Sequence, residues 1–367
     1  MGSEDAGCRV GSADPATPFS RPGAVGNLCR VRGWVAWSPL PRPPTLQACI
    51  KKRVLPKGAI NFGNDAESSA KRHIMNLSWQ VHETATALHV AAAIARGLPL
   101  SDPRIVSAVE TPVKALQDEI VQIGIPAENA WYALCAHACQ HANAAQLVRE
   151  ALPITDQRGA LWNQERIIRL VAEVGEGIRR VLPSLEDELR HRSRPLRELW
   201  DARGPGLLHS LRSRTDHRLV LTHASVFVVH PILGGGGADP VHSALRIEAL
   251  LTNTVPGLPE VVRLGWLLGQ LACHRMLDAP IRQPAGQRRQ AIELAMVPAT
   301  LAAAETVELV VCNAETVRHA ITAWQHGASE EDVSAVENKA QQVWMWWQSR
   351  KASTSWDRAL AELTERL

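Results

Sequence analysis

Residues 218–233 read RLVLTHASVFVVHPIL and are apolar on both faces at a period of two. Val220, Thr222, Ala224, Val226, Val228 and His230 alternate with Leu219, Leu221, Ser225, Phe227 and Val229. A half-exposed strand shows one polar face, so a strand apolar on both must be covered on both. The text around it can supply the cover, because it is helical almost throughout. The fold class that follows is α+β, mainly α: a helical bundle with a small β-sheet embedded near residues 218–251. Ser243–Leu251 is expected as a second strand.

The spacing predicts a first helix from Leu77 to about Arg96, stopped by Gly97 with Pro99 beyond it. Asp102-Pro103 signals a second helix, striped by Ile105, Val109, Leu116, Ile120 and Ile123 and kinked or divided at Pro112. A third follows Pro126 and carries Trp131, Leu134, Ala138 and Ala145 on one side. A fourth spans about 160–182. Ser184 with Asp187 reads as a capping box for a fifth. Gly204-Pro205-Gly206 reads as a turn. Helices resume at Leu258–Met276 and at about 287–311, 313–326 and 330–349. In the last of these, Trp344 and Trp347 share a face that could dock on the core, leaving Trp346 pointing away as a possible partner surface. Four regions result: 1–74, a helical region 75–183, a central α+β region 184–311 with the strand and a glycine loop, and C-terminal helices 312–367.

Residues 1–74 differ from the rest. They hold 8 Pro and 8 Gly, with 11 basic against 5 acidic residues, a net of +6. Residues 75–367 hold 29 basic and 32 acidic residues, a net of −3. The N-terminal segment is expected to be a disordered extension, or a mis-called start with translation beginning at Met75. A basic tail for RNA or an acidic partner is the functional alternative. The slightly acidic body offers no basic stripe, so nucleic acid is not favoured as a partner of the folded part. No run of eighteen apolar residues and no secretory pattern is present, so a soluble cytoplasmic protein with no membrane partner is expected. Seven cysteines without a CxxC pair point to reduced thiols.

Three constellations could carry chemistry. His230-Pro-Ile-Leu precedes Gly234, Gly235, Gly236 and Gly237, whose backbone N–H groups could cradle an anion. No Gly-Lys-Ser or Gly-Lys-Thr follows, so the loop is not a P-loop. If segments converge, Arg203, His230, the four glycines, Arg246 and Glu248 would line one ligand-binding cleft. Arg246 and Glu248 are two apart and would share a strand face. The bland alternatives are a flexible connection, an Arg203–Glu248 ion pair, or solvated charges.

The second constellation is His137 and His141, four apart on the third helix beside Cys135 and Cys139. Two imidazoles one turn apart suit zinc, though the sequence names no third ligand. Zinc is therefore possible and no other cofactor is expected. Packed or solvated histidines are the alternative. The third is a layout of strand, edge strand and apolar helix like that of zinc-dependent peptidases. The helix there would be Arg263–Gln270, which lacks HExxH. Cys273-His274 and Cys312 have no surrounding nucleophile motif.

RPLRELWDARGPGLL, HPILGGGG and RIEALLTNTVPGLPEVVRLGWLLGQL carry one resemblance. The stretch from about Leu189 to Leu271 resembles an uncharacterised bacterial, planctomycete-type family. It covers less than a third of the 367 residues and implies no established activity. No complete catalytic set assembles from the sequence. The expected function is therefore a binding or scaffold protein for a small-molecule or protein partner, with a hydrolase, metal-dependent or not, as the alternative.

Overall fold

The computed structural model describes residues 75–98, 100, 102–152, 158–232, 236–277, 285–325, 333–351 and 353–367. The expectations for residues 1–74, and for Gly234 and Gly235, lie outside the described residues. The two-sided apolar run does form a central strand. Among the described residues four strands, β1 (Asn76–Val81), β2 (His223–Val229), β3 (Gly236–Asp239) and β4 (Ala244–Glu248), form one sheet in the order β1-β2-β4-β3. β2 runs parallel to both neighbours, with Trp79 opposite Val226 and Arg246 opposite Phe227. β3 closes one edge antiparallel to β4, with Gly237 opposite Arg246.

Helices cover the sheet as the apolar pattern requires. α1 (Glu83–Ala95), α2 (Pro103–Gln122), α3 (Ala127–His137), α4 (Ala144–Ala151), α5 (Arg158–Val181) and α6 (Leu185–Arg192) share one core. Leu88, Ile105, Leu116, Leu134 and Ile167 fill it, and it takes in Phe227, Val229 and Ala244 from the sheet. α7 (Arg194–Arg214), α8 (Glu260–Met276), α9 (Ala285–Thr306), α10 (Ala314–Gln325), α11 (Val333–Ser349) and α12 (Trp356–Arg366) share the other. That core takes Ala224, Val226, Leu245 and Ile247. The fold is thus α+β and mainly α. Among the described residues no helix is long and apolar enough to cross a membrane.

Several local expectations are corrected. Residues 77–81 begin β1 rather than a helix, because NLSWQV alternates exposed and half-buried positions, and β2 offers a free edge. α2 runs through Pro112 without dividing; its start is as read, with Asp102 accepting from the Arg104 N–H at 2.9 Å. Ser184 precedes α6 but makes no side-chain cap. The expected turn at Gly204-Pro205-Gly206 lies inside α7. A Cβ on Gly204 would stand 2.5 Å from the Trp200 indole, so this glycine permits a ring to lie against its own helix. Trp346, expected to face outward, is only 1% exposed and donates its Nε1–H to the Ala359 carbonyl at 2.9 Å. The inversion follows from α12, which covers the α11 face that sequence left open.

Candidate functional site

The third helix of the sequence reading is two helices. α3 ends at His137, residues 138–140 turn, and Asn143 caps α4 by accepting from the N–H groups of Ala145 and Gln146 at 2.9 and 3.2 Å. His141 still bonds its backbone N–H to the His137 carbonyl at 3.0 Å, so the two imidazoles stay one turn apart and stack at 6.1 Å. The reversal brings Glu150 of α4 back over them. His141 Nε2 lies 2.7 Å from Glu150 Oε2, and His137 Nδ1 lies 3.9 Å from the same oxygen. Gln146 donates to the other carboxylate oxygen at 3.1 Å.

A second imidazole–carboxylate pair adjoins this one. His242, in the β3–β4 turn, holds its Nδ1 2.6 Å from Asp239 Oδ2, and its ring meets His137 edge-on at 5.1 Å. Asp239 is buried and also accepts from the Val241 N–H at 3.1 Å. Ser243 takes φ of +51° to complete the turn. Burial lowers the pKa of His137, and the neighbouring His242 acts in the same direction. Its Nδ1 is closed to solvent and has no hydrogen-bond partner.

The residues expected around the glycine loop meet only in part. Arg246 and Glu248 do share a face of β4, and both are buried. The Arg246 guanidinium sits beside Cys139, and a Cβ on Gly237 would lie 3.0 Å from its Nη2. Gly236, at φ +144°, brings β3 so close that a Cβ would stand 2.9 Å from the Arg246 carbonyl oxygen. These two glycines therefore belong to an edge strand, not to a loop. Glu248 is fully buried and receives His89 Nε2 at 3.1 Å. An ionised carboxylate only accepts, so His89 presents Nε2–H. Burial lowers the His89 pKa and keeps the ring neutral, against the pull of Glu248. His230 is half-buried, with a pKa lowered by burial, within reach of the charges of Glu188, Arg192, Glu248 and Asp102. Arg203 stands apart: it is exposed on α7, because the helix continues where a turn was expected.

α8 follows β4 and is buried along both sides from Glu260 to Cys273. Arg263 and Gln270 are among its buried polar residues, and Arg263 donates to Glu260 at 3.4 Å. Burial pushes the thiols of Cys139 and Cys273 up to about 12 and that of Cys312 to about 11, which disfavours the thiolate at each of these three described cysteines.

A cleft of about 500 Å³ opens on the other side of the sheet. Trp200, Leu208 and Leu211 of α7 line it, with Leu221 before β2 and Leu268 and Ala272 of α8. His209, Arg212 and the 40%-exposed Val220 also line it. One Arg212 nitrogen donates to the His217 carbonyl at 3.0 Å, while its Nε is buried without a partner.

Sequence reasoning missed Glu150, Asp239 and His242, and missed the cleft. The His141–Glu150 separation of nine residues is no motif, and only the Asn143 cap signal hinted at the reversal that joins them. Comparison of the chain with known protein families, with curated proteins and with solved structures finds no match.

Proposed function

We propose that this protein binds a small apolar ligand carrying an anionic head, in the cleft between α7, α8 and residues 219–221. The size and lining of that cleft carry the reading: about 500 Å³, walled by indole, leucine and alanine side chains. Small-molecule sites have this character, with volumes of about 300–1,000 Å³ and few polar groups that fix orientation. Arg212 is the orienting group. Its guanidinium is held by the His217 carbonyl, and its unpartnered Nε is a donor that a ligand carboxylate would satisfy. The binding function expected from sequence thus moves from the glycine segment to the opposite core.

Calorimetric titration with a medium-chain fatty acid and the corresponding alcohol tests this. The acid should bind with one site per chain and the alcohol more weakly. Val220→Trp, which adds bulk at a partly exposed wall position, should abolish binding while keeping the melting temperature. Arg212→Ala should remove the preference for acid over alcohol. Equal binding by wild type and Val220→Trp, or no heat with either probe, would sink the reading.

A further inference from the structure

We propose that His137 Nδ1, His141 Nε2 and Glu150 Oε2 form a binding site for a zinc-class divalent metal ion, with a fourth position open to water or a ligand oxygen. The three donor atoms lie within 4.8 Å of one another and come from the end of α3, the link after it and α4. Zinc bonds to imidazole nitrogen and carboxylate oxygen are about 2.0–2.2 Å, so an ion placed among them reaches all three after side-chain shifts of about an ångström. Two imidazoles and one carboxylate are also the ligand set that leaves a coordination position open. Glu150 is 45% exposed and gives the ion a route from solvent.

Two independent features favour a ligand over a simple hydrogen-bonded cluster. The His141–Glu150 contact satisfies His141 but leaves His137 Nδ1 closed to solvent with no hydrogen-bond partner, 3.9 Å from the nearest carboxylate oxygen. Native proteins rarely leave a buried ring nitrogen so, because its lost hydration is not replaced. A metal ion would replace it. The second feature is the Asp239–His242 pair against the His137 ring. Groups packed against a metal ligand set the orientation of its ring, and Asp239 holds His242 edge-on against His137 at 5.1 Å. Here the pair fixes the wall on which His137 rests. Gln146 does the same for Glu150 by holding its Oε1 at 3.1 Å, which leaves Oε2 facing the histidines.

The experiment uses the full chain, stripped with a chelator and titrated with Zn²⁺ by calorimetry, with Co²⁺ as a spectroscopic probe. One Zn²⁺ per chain is expected. The Co²⁺ form should show the visible bands of nitrogen and oxygen ligation without a thiolate charge-transfer band. Glu150→Gln and His141→Ala should each weaken Zn²⁺ at least tenfold while circular dichroism stays helical. Should His141→Ala fail to fold, Glu150→Gln decides alone, because that side chain is half exposed. Absence of stoichiometric Zn²⁺, a thiolate band with Co²⁺, or unchanged affinity in Glu150→Gln would each overturn the proposal. The readout is independent of the apolar cleft, so either assignment can fail without the other.

Discussion

The two helical layers on the sheet treat their polar side chains differently. On the α1–α6 side, imidazoles meet carboxylates: His89 with Glu248, His141 with Glu150, His242 with Asp239. On the α7–α12 side, three indole N–H groups find fixed acceptors, while Arg212 Nε, Gln270 Nε2 and Thr300 Oγ1 are buried without a hydrogen-bond partner. Trp266 donates to the Glu293 carbonyl at 2.8 Å, Trp346 to the Ala359 carbonyl at 2.9 Å, and Trp356 to Cys273 Sγ at 3.4 Å. A bond from indole to a backbone carbonyl does not titrate and locks a large apolar surface in place. An imidazole–carboxylate pair can exchange its partner for a metal ion or a ligand. One layer is therefore built for packing, and it leaves an apolar cleft. The other holds the reactive groups.

The largest expected effect lies in the packing layer. Trp346→Ala should destabilise the protein by about 3–5 kcal/mol, the usual cost of truncating a buried Trp. Trp344→Ala on the same helix, where the indole is only partly buried, should cost clearly less. Urea unfolding followed by circular dichroism measures both. A reversed order would restore the outward-facing Trp346 that the helical spacing alone suggested.

Acid should separate the layers next. His89 is held neutral by burial, so its folded pKa lies below the ordinary value of 6.5. The unfolded chain then binds more protons below that value, and stability must fall as pH drops from 6.5 through the folded pKa. Glu248 adds the same sign at lower pH. Burial alone would raise its pKa, but the hydrogen bond from His89 and the charge of Arg263 leave it lowered from 4.5. His89→Gln should flatten the limb below pH 6.5 relative to wild type, measured as the urea midpoint against pH. Arg246 and Arg96 also face His89 and lower its pKa further, which reinforces the sign. Parallel limbs in wild type and variant would show that His89 has the same pKa in the fold as in the unfolded chain.

What the sequence made legible follows from how local each signal is. The central strand, the capped start of α2, the α5 stripe and the strand character of 243–251 are written in neighbouring residues and were readable. β1 was not, since a six-residue alternation next to a long helical run is drowned by it. β3 was hidden because Gly236 and Gly237 read as a loop, while their role is to let Arg246 approach. In the site, the His137–His141 pair was visible at i,i+4 spacing. Glu150, Asp239 and His242 arrive through a helix reversal and a hairpin turn, which no spacing encodes. Arg203 was misplaced because Gly-Pro-Gly is a turn signal only when nothing packs on it. Here the Trp200 ring does.

That ring sets the third expected effect. Gly204→Ala places a methyl where the Trp200 indole lies, 2.5 Å from its Cδ2. A rigid ring inside the 5%-exposed Trp200 pocket cannot yield freely, so a loss of about 1–3 kcal/mol is expected, typical of overpacking. Because Trp200 also lines the cleft, the same variant should weaken the fatty-acid probe. Full stability with unchanged binding would mean that the ring swings away without consequence and is not a fixed wall.

The smallest effect belongs to the opposite layer and has the opposite sign. Gly175 lies in the middle of α5, and a Cβ built there meets nothing within 4 Å. Its backbone is helical, so neither close approach nor a left-handed conformation requires glycine. Replacing it by alanine removes conformational freedom from the unfolded chain without disturbing a contact, and should stabilise by about 0.5–1 kcal/mol. The measurement is a rise in urea midpoint with unchanged m-value. The contrast with Gly204 is the point of the pair: one glycine is required by a ring on its own helix, the other by nothing packed against it. A destabilised Gly175→Ala protein would show that the α5 surface is covered by something the described residues do not include.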